Sequence, residues 1–214
     1  MEEKMYTTCD KCKRYGFAFR SKHNLSPVDM IDGNGNADIW IIGMNPKNKA
    51  GHIEERSSHD LKLFNPNGYP YFKDFRKVSK KLYQNWEQPD KNIAHTNLVN
   101  CFSDTFPPQK GVDGIKNVKH IIDNCVEYLK KQISTFKPKM IICNGSAVCW
   151  EMIRFFPPQQ YDGFDCLTSY CAHVDNHHFW IVLSSFIGRI DNRSKRRLGM
   201  EIEQIIEKED INTA

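Results

Sequence analysis

Apolar and polar positions along the chain fall into alternating short and long regular segments. Asp38-Ile39-Trp40-Ile41-Ile42-Gly43 is a continuous apolar run ending in glycine, the pattern of a strand buried on both faces of a parallel sheet. Ile93 to Val99, Met140-Ile141-Ile142-Cys143 after Pro138, and His178 to Leu183 are read as three further strands. Between these runs the period becomes helical. Over Phe72 to Trp86, Phe75, Val78 and Leu82 share one face and lysines the other. Ile115, Val118, Ile121, Ile122, Val126, Leu129 and Ile133 mark the inward face of a helix over 115–136. Gly145 opens a helix through Phe155, and a closing helix spans about Ser194 to Lys208. Strands alternating with helices predict an α/β fold, a three-layer α/β/α domain around a central, mostly parallel four-stranded sheet. No internal repeat or linker divides the chain, so residues 1–214 are expected to form one domain. Within it, 1–37 is a loop-rich, cysteine-bearing N-terminal segment and 46–70 a long loop.

Ligands of such sheets bind beyond the carboxyl ends of the strands. That directs attention to Gly43-Met44-Asn45-Pro46, Thr96-Asn97, Asn144-Gly145 and Ser184-Ser185. Composition narrows the chemistry only a little. The 214 residues suffice for a core without disulfide staples. Thirty basic against 26 acidic residues give a net charge of +4, which permits a polyanionic partner without demanding one. No apolar run approaches the roughly 20 residues of a membrane span, and MEEKMYTTCDKC has no apolar leader core. A cytoplasmic protein, acting as a monomer and without a membrane partner, is the expectation. Its eight cysteines then point to free thiols, metal or an iron–sulfur cluster. Cys9 and Cys12 form a C-x2-C pair, whose short loop lets two thiolates converge on one metal. No second such pair follows, so any further ligands must be distant. Cys143 and Cys149 read as small core residues, while Cys166 and Cys171 receive no role. Neither a phosphate loop nor a nucleophile elbow is present.

The order of motifs resembles the uracil-DNA glycosylase superfamily, above all its iron–sulfur families 4 and 5. Gly43-Met44-Asn45-Pro46 is similar to the family's Gly-x-x-Pro, and Gly68-Tyr69-Pro70-Tyr71 to its Gly-x-Pro-Phe. His95-Thr96-Asn97-Leu98-Val99-Asn100-Cys101, then Pro107-Pro108, then Cys125-Val126-Glu127-Tyr128-Leu129 follow its Thr-Asn-x-x-x-Cys, Pro-Pro and Cys-x-x-x-Leu series. The resemblance implies a structural [4Fe–4S] cluster on Cys9, Cys12, Cys101 and Cys125, a ligand set suited to it; zinc is the alternative. Two departures stand out. Asn45 resembles the mismatch-specific and thymine-DNA glycosylases, whose Asn holds the attacking water. Leu183-Ser184-Ser185-Phe186 replaces the iron–sulfur families' final His-Pro-Ser, so one donor to the leaving base is lost.

The activity implied is hydrolysis of the N-glycosidic bond of a damaged base, most simply uracil, flipped out of DNA. Asn45 would then position water, or it merely caps its turn. Tyr71 would stack on the base, or it belongs to the core. Asn97 would read the base edge with its amide, or satisfy nearby backbone. Backbone N–H groups near Gly43 and Met44 would receive developing charge. Ser184 and Ser185 would hold a phosphate or the leaving base. Ile187, Arg189 or Ile190 would enter the base stack as a wedge, and Arg193, Lys195 and Arg196 would grip phosphates. A rival class is a nucleic-acid-binding or lesion-sensing module on the same fold, with little or no catalysis.

Overall fold

The structure, a computed structural model, describes residues 6–46, 55–66, 69–87, 92–102, 112–158 and 168–211. Gly68, Pro107, Pro108 and Cys166 lie outside the described residues. The N-terminal segment contains an antiparallel hairpin of β1 (Tyr6–Cys9) and β2 (Phe19–Ser21). The central sheet has six strands rather than the expected four. These are β3 (Asp32–Gly33), β4 (Ile39–Gly43), β5 (Ile93–Asn97), β6 (Met140–Asn144), β7 (Ser169–Val174) and β8 (His177–Ser184), in spatial order β3-β5-β4-β6-β8-β7. The inner four are parallel and correspond to the four expected strands. The two additions are antiparallel edge strands, which cover the sheet's open margins.

Every residue of β4, β5 and β6 is buried. Alternation along each strand sends successive side chains to opposite faces. Ile39, Ile41 and Ile142 therefore enter one core, and Trp40, Ile42 and Ile141 the other. The first face is covered by α2 (Pro70–Lys73), α3 (Phe75–Val78), α4 (Lys80–Glu87) and α7 (Asn192–Lys208); the second by α5 (Val112–Phe136) and α6 (Ser146–Phe155). The 46–70 stretch also holds a short helix, α1 (Ser57-capped Ser58–Lys62), fixed by a reciprocal Ser57–Asp60 capping box. The three-layer α/β/α arrangement is as expected.

The single helix expected over 72–86 is instead three pieces. Ser79 is extended (φ −148°, ψ 132°). Its hydroxyl accepts from Leu82 N at 3.2 Å and donates to Glu203 at 2.7 Å. The interruption opens Val78's carbonyl to Gly199 on α7, where a Cβ would stand only 1.9 Å from that oxygen. The chain direction thus brings α2 over the carboxyl ends of the strands.

Candidate nucleotide-base site

In the parallel core the first strand, β4, lies between the second, β5, and the third, β6. The chain reverses its direction of travel across the sheet there, so a crevice is expected between the carboxyl ends of β4 and β6. Gly43 ends β4 beside Asn97, its partner on β5. Asn144 ends β6 beside Ser184 on β8. Tyr71 reaches this line from α2. A Cβ built on Gly43 would meet Asn97 Oδ1 at 2.8 Å, Tyr71 Oη at 3.0 Å and His95 Nε2 at 3.4 Å. Three polar atoms, two from β5 and one from α2, therefore converge on one glycine of β4, and only glycine leaves them room.

Three buried polar atoms here have no hydrogen-bond partner among the described residues: Tyr71 Oη, His95 Nε2 and Asn144 Nδ2. Tyr71 Oη and Asn144 Nδ2 face each other without reaching full hydrogen-bonding geometry. A buried polar atom left unpaired costs about 1–3 kcal/mol, so their grouping marks a place where a ligand would restore the bonds. Burial pushes the Tyr71 phenol well above its ordinary value; the group is a neutral hydroxyl. Asn144 Oδ1 accepts from Ile187 N at 2.9 Å, which leaves its amide hydrogens directed elsewhere. Tyr71 is half-buried, with Phe72, His95 and Phe186 ring centroids at 4.7, 5.7 and 5.7 Å.

His95 and Phe186 were not among the expected site residues, nor was Asp32. His95 Nδ1 lies 3.1 Å from Asp32 Oδ2, and Arg56 Nη2 donates to Asp32 Oδ1 at 2.5 Å. Burial would raise the Asp32 carboxyl; the His95 hydrogen bond and Arg56 charge outweigh it and hold it below its ordinary value. One signal was present in the sequence: an imidazole inside a strand buried at every position needs a partner.

The other expected residues divide. Met44 is half-buried against the core, its carbonyl accepting from Val99 N at 2.9 Å. Asn45 stands two residues beyond β4, its Nδ2 donating to Pro46 O at 3.1 Å. Ser184 is buried and donates its hydroxyl to Ser185 O at 2.7 Å. Ser185 is exposed, its hydroxyl 3.4 Å from that of Ser146, the first residue of α6. Two assignments are corrected. Ile187 is fully buried in the first core and cannot enter a base stack. Lys195 is 4% exposed with Nζ 3.3 Å from Asp74, so it is a buried ion-pair residue of α7 rather than a phosphate contact. Arg189, Arg193 and Arg196 are exposed, and Arg189 lies over the Phe186 ring at 5.7 Å.

Cys9, Cys12, Cys101 and Cys125 gather in one cluster with Phe17, Val99 and Ile121. Burial raises the Cys101 thiol, and Cys125, Cys12 and Cys9 add to the rise. Burial and Cys12 push Cys125 to about 12. The sulfurs have donors nearby: Asn124 Nδ2 to Cys12 at 3.3 Å and Tyr128 Oη to Cys9 at 3.1 Å. Among the described residues no three His, Cys, Asp or Glu side chains stand closely enough for a single metal ion. An all-cysteine set with hydrogen-bonded sulfurs is chemically suited to a cluster, whose ligands spread more widely than those of one ion. A hollow of about 370 Å³ bordered by Phe17, Arg20, Asn100 and Phe102 lies on this side of the molecule. It is distant in kind from the strand-end crevice, since none of the converging polar atoms lines it.

The uracil DNA glycosylase superfamily model matches residues 30–198. The chain belongs to that superfamily, whose members are generally N-glycosylases acting on DNA. The matched span includes every strand-end residue above but begins after Cys9 and Cys12. No individual curated protein matches the chain. No helix among the described residues is long and apolar enough to cross a membrane.

Proposed function

We propose that the chain hydrolyses the N-glycosidic bond of a damaged base, with uracil the first candidate, after the nucleotide has flipped from DNA. The carrying observation is the convergence of Asn97, Tyr71 and His95 on Gly43 at the topological crevice, with unpaired polar atoms buried around it. A base offers flat apolar faces and a polar edge, and this site offers rings beside unpaired edge partners. Asn97 reads the edge; Tyr71 and Phe186 bound the ring; Gly43 lets the Asn97, Tyr71 and His95 side chains draw together over its backbone. Asn45 turns its amide to a water at the sugar carbon when DNA is bound. Ser185 and Ser146, at the start of α6, hold a phosphate or the departing base. Arg189, Arg193 and Arg196 neutralise phosphates.

We infer further that the chain is of the iron–sulfur kind. Cys9, Cys12, Cys101 and Cys125 would hold a [4Fe–4S] cluster, which would tie the N-terminal segment to β5 and α5 and take no part in the reaction. Zinc on the same four thiols is the alternative. A second reading, DNA or lesion binding with little turnover, draws support from the Asn45 amide, which is engaged with Pro46 O rather than free.

The test is an oligonucleotide panel carrying uracil, mismatched thymine, hypoxanthine or xanthine, incubated with the full chain. Release of a free base with an abasic product supports the enzyme. Asn45→Ala should abolish most release yet retain binding. Salt-sensitive binding with no release from any substrate would favour the binding module.

A further inference from the structure

Cys143, near the end of β6, and Cys149, in the first turn of α6, lie on the same face of the sheet, in the second core. Asn144 and Gly145 turn the chain between them. Cys149 Sγ donates to Ser184 O at 3.2 Å, and Gly145 N donates to the same oxygen at 2.9 Å. Ser184 pairs in register with Asn144, and Leu183 with Cys143. The Cys149 sulfur is therefore held against the β6–β8 ladder one register step from Cys143, and the two thiols interact directly. A third group meets them from β7. Tyr170 Oη is buried without a hydrogen-bond partner among the described residues, and Cys143 and Cys149 are the ionisable groups that act on it. Packing alone needs neither paired sulfurs nor an unpaired hydroxyl at this place.

The two sulfurs are not equivalent. Cys143 is fully buried, and burial holds its thiol well above the ordinary value. Cys149 is half-buried, and the hydrogen bond from Cys143 holds it below the ordinary value against the effect of burial. Its place in the first turn of a helix favours the thiolate as well. The thiolate is the nucleophile in sulfur chemistry, so Cys149 is the attacking sulfur and Cys143 the resolving one.

We propose that Cys143 and Cys149 are an oxidisable dithiol: hydrogen peroxide oxidises Cys149, Cys143 closes a disulfide on it, and the new bond resets the β6–α6 turn that carries Asn144. In the first step the Cys149 thiolate attacks a peroxide oxygen. An S–O bond forms, the O–O bond breaks, and hydroxide leaves to take up a proton as water, so that Cys149 becomes a sulfenic acid. In the second step the Cys143 sulfur attacks the Cys149 sulfur. The S–S bond forms, the S–O bond breaks, and the departing hydroxide takes the Cys143 proton as a second water. The two thiols lose two hydrogens and two electrons, and the peroxide gains them. A dithiol reductant reverses the change by exchange. The consequence for the crevice follows from the turn. The disulfide withdraws Cys149 Sγ from Ser184 O and draws the first turn of α6 onto β6. Asn144 lies inside the closed loop, with Oδ1 bonded to Ile187 N at 2.9 Å and Nδ2 at the Tyr71 side of the crevice. This chemistry is separate from the N-glycosidase reading and does not depend on it.

The test treats the full chain with graded hydrogen peroxide, alkylates the remaining thiols and digests with trypsin. Cleavage after Lys139 and Arg154 places Cys143 and Cys149, and no other cysteine, in the peptide Met140–Arg154. The readout is therefore independent of Cys9, Cys12, Cys101 and Cys125 and of anything they hold. The proposal expects this peptide to escape alkylation and to be lighter by two hydrogen atoms, and dithiothreitol to restore both thiols. Cys149→Ser should leave Cys143 fully alkylated, whereas Cys143→Ser should accumulate a sulfenic acid at Cys149 that dimedone traps. In 15N-labelled protein the Ile187 amide resonance, which reports on Asn144 Oδ1, should move on oxidation but not in Cys149→Ser treated alike. A peptide that stays reduced, or that gains oxygen without losing two hydrogens, overturns the disulfide in the unaltered chain, whatever the variants do. Oxidation of Cys143 in Cys149→Ser overturns the order of attack. An unmoved Ile187 resonance with the disulfide formed overturns the link to the crevice.

Discussion

Replacing Gly43 with alanine adds one methyl group at the point where three functional atoms meet. Gly43 ends a fully buried strand and has no positive φ, so its backbone accepts alanine without strain. The cost arises from side chains alone. The new Cβ would stand 2.8 Å from Asn97 Oδ1 and 3.0 Å from Tyr71 Oη, short of the ordinary 3.4 Å by up to about 0.6 Å. Overpacking of this kind costs about 1–3 kcal/mol. For a domain of this size that lowers Tm by about 2–12 °C. A misplacement near 1 Å at a reacting centre costs about 10²-fold in rate, so displacing Asn97 by roughly half that should slow release about 10-fold or more. Tyr71→Phe removes one of the two crowded atoms. Alone it should be neutral to stabilising, by up to about 1–3 kcal/mol, because the lost hydroxyl is buried without a partner among the described residues, and it should recover part of the Tm lost by Gly43→Ala. Thermal unfolding of the four proteins of this cycle, with single-turnover release beside it, reads both effects. Unchanged Tm and unchanged rate in Gly43→Ala would refute the convergence of these atoms.

Other consequences concern different parts of the chain. Gly199→Ala drives a methyl into Val78's carbonyl at 1.9 Å, so α7 must separate from α3, and unfolding should report a loss of more than about 3 kcal/mol. Asp32's carboxyl is held below its ordinary value. The stability it contributes is therefore full above its unfolded value near 4 and lost as pH falls through the lower folded value. A Tm series from pH 6 downward should show this acid loss weakened in Asp32→Asn. Arg193→Ala and Arg196→Ala should each reduce the salt slope of DNA binding by roughly 1, whereas Lys195→Ala should lower Tm by abolishing the contact with Asp74. Cys125→Ser should abolish bound iron and sulfide in anaerobically prepared protein and lower its stability; retention of both would remove Cys125 from the ligand set.

The parallel core was legible because β4, β6 and β8 carry continuous apolar runs, the pattern of a strand buried on both faces, whereas β5 is only partly apolar and carries His95-Thr96-Asn97. The edge strands were not. β3 has two residues, too few for any period, and in β7, Ser-Tyr-Cys-Ala-His-Val, only Tyr170 and Ala172 are buried, so it shows no continuous apolar run. The turn after β7 did carry a signal, since Asp175 adopts positive φ (52°) next to Asn176, as a tight hairpin requires. The expected continuous helix over 72–86 failed at Ser79, where a hydroxyl captured Leu82 N and restarted the helix. At the site, Gly43 and Asn97 were found from their places at strand ends, and Tyr71 from the resemblance of Gly68-Tyr69-Pro70-Tyr71 to a family motif. Asp32–His95 was not, because the pair depends on an edge strand that the pattern hid. Lys195 was misassigned by counting charge along the sequence. Helical spacing places it with Leu198, Gly199 and Ile202 on α7's inward face, while Arg193 and Arg196 point outward.

The central claim is that the Gly43 crevice breaks a base–sugar bond. Its most direct test is chromatographic detection of free base after single-turnover incubation of the full chain with uracil-containing single- and double-stranded oligonucleotides, alongside Asn97→Ala. The account predicts free uracil and an alkali-labile abasic strand from the unaltered chain, with release much reduced by Asn97→Ala. Folded protein that binds these strands but releases no uracil, or releases it undiminished in Asn97→Ala, would contradict it.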